Sequence, residues 1–242
     1  MDLLFFEQFR YLQLNQAAAD GDLPFVEQLA SYADNRTLLI ACQRGHAEIV
    51  HFLLMNCSQL DVEAGDPVHD RSPLGWACQK GHLEVARLLI EKYKCSLERT
   101  DEDGSTALHL ACSGGHLDVA RLLVQNSAHV DCRDHVGATP LYLASDAGYG
   151  DMVRFLLDDA LASIDVSDDF GWTPLFLSVM NAQRSVCGNG VLHILLERGG
   201  DIHAATFTGD TPMKRAVVSG LLDPLYGILR TRPEEWETWH RG

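Results

Sequence analysis

One pattern restricts this chain more than any other. A small residue sits four positions before a turn, and the arrangement comes back again and again. Ala17, Ala41, Ala77, Ala111, Ala144, Ser178 and Ala216 mark the recurrences, at successive intervals of 24, 36, 34, 33, 34 and 38 residues. A spacing this regular points to an array of one supersecondary element, because such an element buries its apolar face only against copies of itself.

The residues between the marks say what the element is. The clearest copy runs from Asp101 to Leu123. Asp101 to Gly104 suits a tight turn, with Asp first and Gly last, and Asp134 to Gly137 and Asp168 to Gly171 repeat it. A hydroxyl residue and a proline then open a helix in Ser72-Pro73, Thr139-Pro140, Thr173-Pro174 and Thr211-Pro212. The hydroxyl caps the helix, and proline loses no hydrogen bond in the first turn. The helix stops at Gly45, Gly81, Gly115 or Gly148. A second helix follows with apolar residues at three-and-four spacing, as in Leu83, Val85, Ala86, Leu88, Leu89 and Ile90.

These motifs resemble the ankyrin repeat over about residues 12 to 230, including its Thr-Pro-Leu-His-x-Ala core. The resemblance implies an all-α solenoid of six to seven helix-turn-helix units joined by β-hairpin-like turns. Residues 1–11 form an N-terminal extension and 12–231 the repeat domain, with units at 12–33, 34–65, 66–99, 100–132, 133–166, 167–204 and 205–231. Residues 232–242 form a tail carrying Trp236 and Trp239. Only His109 keeps the motif histidine; Leu39, Gly75, Tyr142, Phe176 and Lys214 stand in its place elsewhere. The first unit is short, which suits a cap. Extra residues fall near Glu63 to Asp70 and around Gln183 to Gly190, and the degenerate stretch from Thr206 to Arg230 reads as a second cap.

Composition narrows the function. The net charge of −15 opposes general binding to nucleic acid or anionic membrane. No apolar run approaches the roughly 18 to 20 residues of a membrane span, and the greasy start from Met1 to Leu14 lacks the basic residues and cleavage site of a signal peptide. Seven cysteines without a disulfide layout suit a reducing compartment, the cytoplasm or else the nucleus.

Several stretches imitate chemistry. Cys42/His46, Cys78/His82 and Cys112/His116 have the spacing of metal pairs, but a closed zinc site needs four ligands around one ion. Equivalent positions on stacked helices lie roughly 8 to 10 Å apart, so the repeat itself accounts for the spacing. The clusters Gly114-Gly115, Gly148-Tyr149-Gly150, Gly188-Asn189-Gly190 and Gly199-Gly200 lack the Lys-Ser/Thr of a phosphate loop. The acidic runs at Asp101 to Asp103, Asp158-Asp159 and Asp168-Asp169 lack the twelve-residue calcium loop. No nucleophile motif appears. Neither a cofactor, a metal nor a catalytic residue is therefore expected.

The expected role is a non-catalytic adaptor or scaffold that binds another protein or a peptide segment. The alternative is the substrate-recognition subunit of a ubiquitin ligase, which is ranked second because Asp223 to Gly242 supplies no evident machinery-binding box. In the ankyrin family the hairpin tips and inner helices form a concave gripping face. Carried over by position, that face comprises Gln43 and Arg44; Val68, His69, Arg71, Gln79 and Lys80; Glu102, Asp103, Ser105, Ser113 and Gly114; and His135, Val136, Ala138, Asp146 and Ala147. It continues with Asp169, Phe170, Trp172, Met180 and Asn181, and with Phe207, Thr208, Asp210, Val218 and Ser219. Its early part is basic (Arg44, Arg71, Lys80), its middle is acidic (Glu102, Asp103, Asp146, Asp169), and Phe170, Trp172 and Phe207 occupy slots that are commonly polar. The expectation is an apolar anchor on the aromatics and an acidic stretch on the basic end. The competing explanation is that the aromatics pack on one another or on the insertion at 183–190.

Overall fold

Five inner helices begin where a side-chain oxygen accepts a hydrogen bond from a backbone N–H that has no partner within the helix. Asp34 does this for Thr37, Ser72 for Gly75, Thr139 for Tyr142, Thr173 for Phe176 and Thr211 for Lys214. Such a cap contributes about 1 kcal/mol. The computed structural model describes residues 3–182 and 189–220. Among these are six helix pairs and a further inner helix, with no strand. The pairs are α1 (Leu3–Asp20) with α2 (Leu23–Leu29), α3 (Asn35–Arg44) with α4 (Ala47–Asn56), and α5 (Pro73–Lys80) with α6 (Leu83–Arg87). Then come α7 (Ala107–Gly114) with α8 (Leu117–Gln125), α9 (Pro140–Ala147) with α10 (Gly150–Asp158), and α11 (Pro174–Ala182) with α12 (Asn189–Glu197). The inner helix α13 (Pro212–Val218) follows.

The chain divides into two compact blocks, 1–129 and 130–242. In the first, α1, α3, α5 and α7 stack in chain order, and each packs on its own outer helix. In the second, α9, α11 and α13 stack in the same way, with α10 against α12. The residues that mark the repeat lie at the tightest points: Ala41, Ala77, Ala111, Ala144 and Ala216 have no exposed surface, and Ala17 and Ser178 are buried. A larger side chain there would hold the helices apart. The outer helices contribute a matching apolar face, with Val85, Ala86, Leu89 and Ile90 buried in one and Val119, Ala120, Leu122 and Leu123 in the next.

Helix α1 runs without a break across the boundary expected after residue 11. The surplus near Glu63 to Asp70 is taken up by lengthening one hairpin tip, where the Asp70 N–H donates to the Asp66 carbonyl at 2.9 Å and the Asp66 N–H to that of Arg71 at 3.0 Å. Asp70, at φ 49°, occupies the left-handed position that glycine fills in the other tips. Of the insertion expected around Gln183 to Gly190, residues 183–188 lie outside the described residues, as does the Trp-bearing tail from Arg232.

Candidate partner-binding face

The hairpin tips are organised by their first carboxylate. One oxygen of Asp101 accepts from the N–H groups of Asp103 (3.1 Å) and Ser105 (2.9 Å). Asp134 holds Val136 and Ala138 in the same manner, and Asp168 holds Phe170 and Trp172. In two tips the second oxygen is gripped by the preceding repeat. Arg71 donates to Asp101 from Nε (3.1 Å) and Nη2 (2.6 Å), and the Tyr142 hydroxyl donates to Asp168 at 2.7 Å. Burial pushes the Tyr142 hydroxyl well above its ordinary pKa, and its bond to Asp168, with that residue's charge, pushes the same way. Tyr142 stands where His109 stands one repeat earlier. His109 closes a capping box with Thr106, whereas Tyr142 reaches out to the next hairpin. Backbone bonds join successive tips: Glu102 N–H to the His69 carbonyl, Asp169 to Val136, and Phe207 to Phe170.

In the first block this framework absorbs part of the expected face. Arg71 is a buried strut and not a free surface cation. It is 7% exposed, donates to Gln79 at 2.8 Å and lies 5.0 Å from the centre of the Trp76 ring. Ser105 is buried beside the Asp101 turn. The Trp76 indole donates to Asp66 at 3.1 Å. Burial alone would raise the Asp66 carboxyl, but the N–H groups of His69, Val68 and Arg71 and the indole outweigh it and hold the carboxyl below its usual value. His69 is engaged with Glu102 at 2.8 Å. Arg44, Lys80, Asp103 and Ser113 remain exposed, while Gln43 and Gly114 are half-buried. Trp76 was not among the expected residues, although its place one turn before Lys80 on the same helix was a usable signal.

In the second block His135 is exposed and Val136, at 52%, stands out from its tip. Phe170 is 62% exposed and Phe207 81%. Trp172 is 37% exposed and leans on buried Phe176 with ring centres 5.5 Å apart, while Phe170 lies 6.5 Å from Trp172. Part of the Trp172 surface thus packs within the repeat, and Phe170 and Phe207 stay open. Asp169 pairs with Arg133 at 3.1 Å, Asp146 accepts from Asn181 at 3.0 Å, and Asp210 pairs with Arg215. Met180 is half-buried, Ala138 is fully buried, and Ala147, Thr208 and Val218 are exposed.

The cysteine–histidine pairs are divided between core and strap. Cys42, Cys78 and Cys112 have no exposed surface. His46, His82 and His116 each place Nε2 2.9 to 3.1 Å from a carbonyl of the preceding inner helix, those of Ala19, Gln43 and Gln79. Among the described residues no three His, Cys, Asp or Glu side chains cluster as metal ligands, and no helix is long and apolar enough to cross a membrane.

A family model described as ankyrin repeats (three copies) matches residues 14–101 and 93–168. The chain belongs to the ankyrin-repeat family. No individual curated protein matches it. Ankyrin repeats are in general protein-interaction modules, so the ankyrin hairpin tips and inner helices described above are the natural place to look for a partner.

Proposed function

We propose that this chain is a non-catalytic adaptor that grips a partner polypeptide along its hairpin tips and inner helices. The aromatic side chains of the second block are its apolar anchor. The observation that carries this is the exposure of Phe170 and Phe207 on consecutive tips, bonded backbone to backbone at 3.2 Å. Large apolar side chains held on a rigid frame lose little entropy on binding and each bury some 150 to 250 Å². Trp172, which leans on buried Phe176, gives the ridge a fixed base. The test replaces Phe170 and Phe207 with Ala, checks helical content by circular dichroism, and compares the proteins recovered with each form from cells. Loss of at least one wild-type partner, with helicity retained, is the expected result. An unchanged set of partners removes the aromatic anchor, and recovery of ubiquitin-ligase subunits assigns the adaptor to that machinery.

A further inference from the structure

Within the first block, Gln43, Arg44, Lys80 and His82 line an open cleft of about 540 Å³. It lies between the ends of two successive inner helices, since Arg44 is in the last turn of α3 and Lys80 in the last turn of α5. The lining contains no carboxylate. This contrasts with the chain as a whole, where acidic residues outnumber basic ones 34 to 19. Arg71 is tied to Asp101, Arg87 to Glu91 and Arg99 to Asp70. Arg44 and Lys80 form no ion pair among the described residues. Lys80 instead rests 5.8 Å from the centre of the Trp76 ring, which is itself pinned by Asp66. Cations in a helix's last turn offset its partial negative charge, but that role does not require two of them to face one cleft.

From this we infer that the cleft holds an acidic, extended segment of the partner protein, with one carboxylate on Arg44 and another on Lys80. This rests on the adaptor reading above but uses residues of the first block alone. The long-range field of a chain with charge −15 disfavours a polyanion, whereas two local carboxylates meet two unpaired cations. Equivalent positions on stacked helices lie about 8 to 10 Å apart, and an extended polyproline-II segment, with three residues per turn and a rise of about 3.1 Å, returns to the same face about 9 Å further on. The two acids are therefore spaced three residues apart, running across the inner helices. Gln43 has no side-chain partner among the described residues, and its amide is available to the backbone of the segment. The Gln79 side-chain oxygen is not, because it accepts from Arg71.

A library of random dodecapeptides displayed on phage, selected in parallel on the wild-type chain, on R44E/K80E and on F170A/F207A, tests this. The expected wild-type pool is enriched in pairs of Asp or Glu at positions i and i+3. That enrichment disappears on R44E/K80E and survives on F170A/F207A. A synthetic peptide of the enriched type then binds R44E/K80E at least about tenfold more weakly than wild type by titration calorimetry, and its affinity falls with salt. Apolar peptides that depend on Phe170 and Phe207, without acidic pairs, would overturn the cleft and leave the adaptor standing. A pool with no enrichment on any form would overturn both. Binding of a short oligothymidylate that depends on Arg44 and Lys80, without acidic-peptide enrichment, would make the cleft a general anion site and also refute the inference.

Discussion

At Gly81 two demands meet on one residue. The backbone is left-handed, at φ 77°, and the imidazole of His116 from the next repeat lies where a β-carbon would go. Gly21 and Gly45 stand in the same relation to His46 and His82. Each imidazole is held there by its bond to a carbonyl of the inner helix that the glycine ends. Gly148 shares the conformation, at φ 80°, but among the described residues nothing lies within 4 Å of its absent β-carbon. Alanine at Gly148 therefore costs only the left-handed strain, about 1 kcal/mol. Alanine at Gly81 also displaces His116 and its hydrogen bond to Gln79, for a total of about 2 to 4 kcal/mol. Urea unfolding of the two variants measures the difference, and equal losses would show that the imidazole contact has no energetic weight.

At the scale of the element, the outer helices end differently from the inner ones. Five of the inner helices, α1, α3, α5, α7 and α9, stop at glycine, whereas three outer helices give way to non-glycine residues in the left-handed region: Lys94 at φ 56°, Ser127 at 71° and Leu161 at 58°. Only after α12 does glycine, Gly199, take that place. The outer helix of the third repeat ends in a π turn from Leu88 to Lys92. Leu161 makes a clean test because its side chain is exposed. Replacing it with Gly relieves about 1 to 2 kcal/mol of strain and returns part of that to the entropy of the unfolded chain. The expected net effect is a stabilisation of about 0.5 to 1 kcal/mol, seen as a higher urea midpoint at unchanged slope; a lower midpoint would contradict the strain. These endings show where sequence reasoning reached and where it stopped. Hairpin turns, caps and inner-helix stops were legible because each depends on residues within four positions of one another. The outer-helix ends were not, since Lys, Ser and Leu carry no signal for a left-handed backbone. Nor was the conversion of Arg71 from surface cation to buried strut, because its partner Asp101 lies 30 residues away and only stacking brings the two together. The exposure of Phe170 and Phe207 followed from their slots alone, whereas the lean of Trp172 on Phe176 required the packed repeat.

For the molecule as a whole, stacking puts thiols into the core of the first block in register. Cys42, Cys78 and Cys112 each follow the small alanine of an inner helix, and Cys57 and Cys95 are buried after the outer helices. They pack as small apolar groups, and this has a consequence at high pH. Burial, and secondarily the proximity of Cys95, raises the thiols of Cys42 and Cys78 far above their ordinary value. Cys95 is pushed up to about 12, by burial first and then by the charge of Glu63. An unfolded thiol loses its proton near pH 8.5. Below that pH both states hold the proton and stability does not respond to these groups. Above it the unfolded chain ionises while the folded chain does not, so the unfolded state binds fewer protons and stability falls as pH rises. The slope approaches about 1.4 kcal/mol per pH unit for each thiol, or about 4 for Cys42, Cys78 and Cys95 together. A domain stable by about 5 to 15 kcal/mol cannot sustain that loss for more than a few pH units. Under reducing conditions the urea midpoint of the full chain is therefore expected to be insensitive to these thiols between pH 7 and 8 and to fall steeply from pH 9 to 10.5. Replacing Cys42 with Ala, which keeps the slot small and apolar, should remove about a third of the steepness. Identical pH dependence in the wild type and in the variant lacking all three thiols would mean that ionisation of the core cysteines does not govern alkaline unfolding.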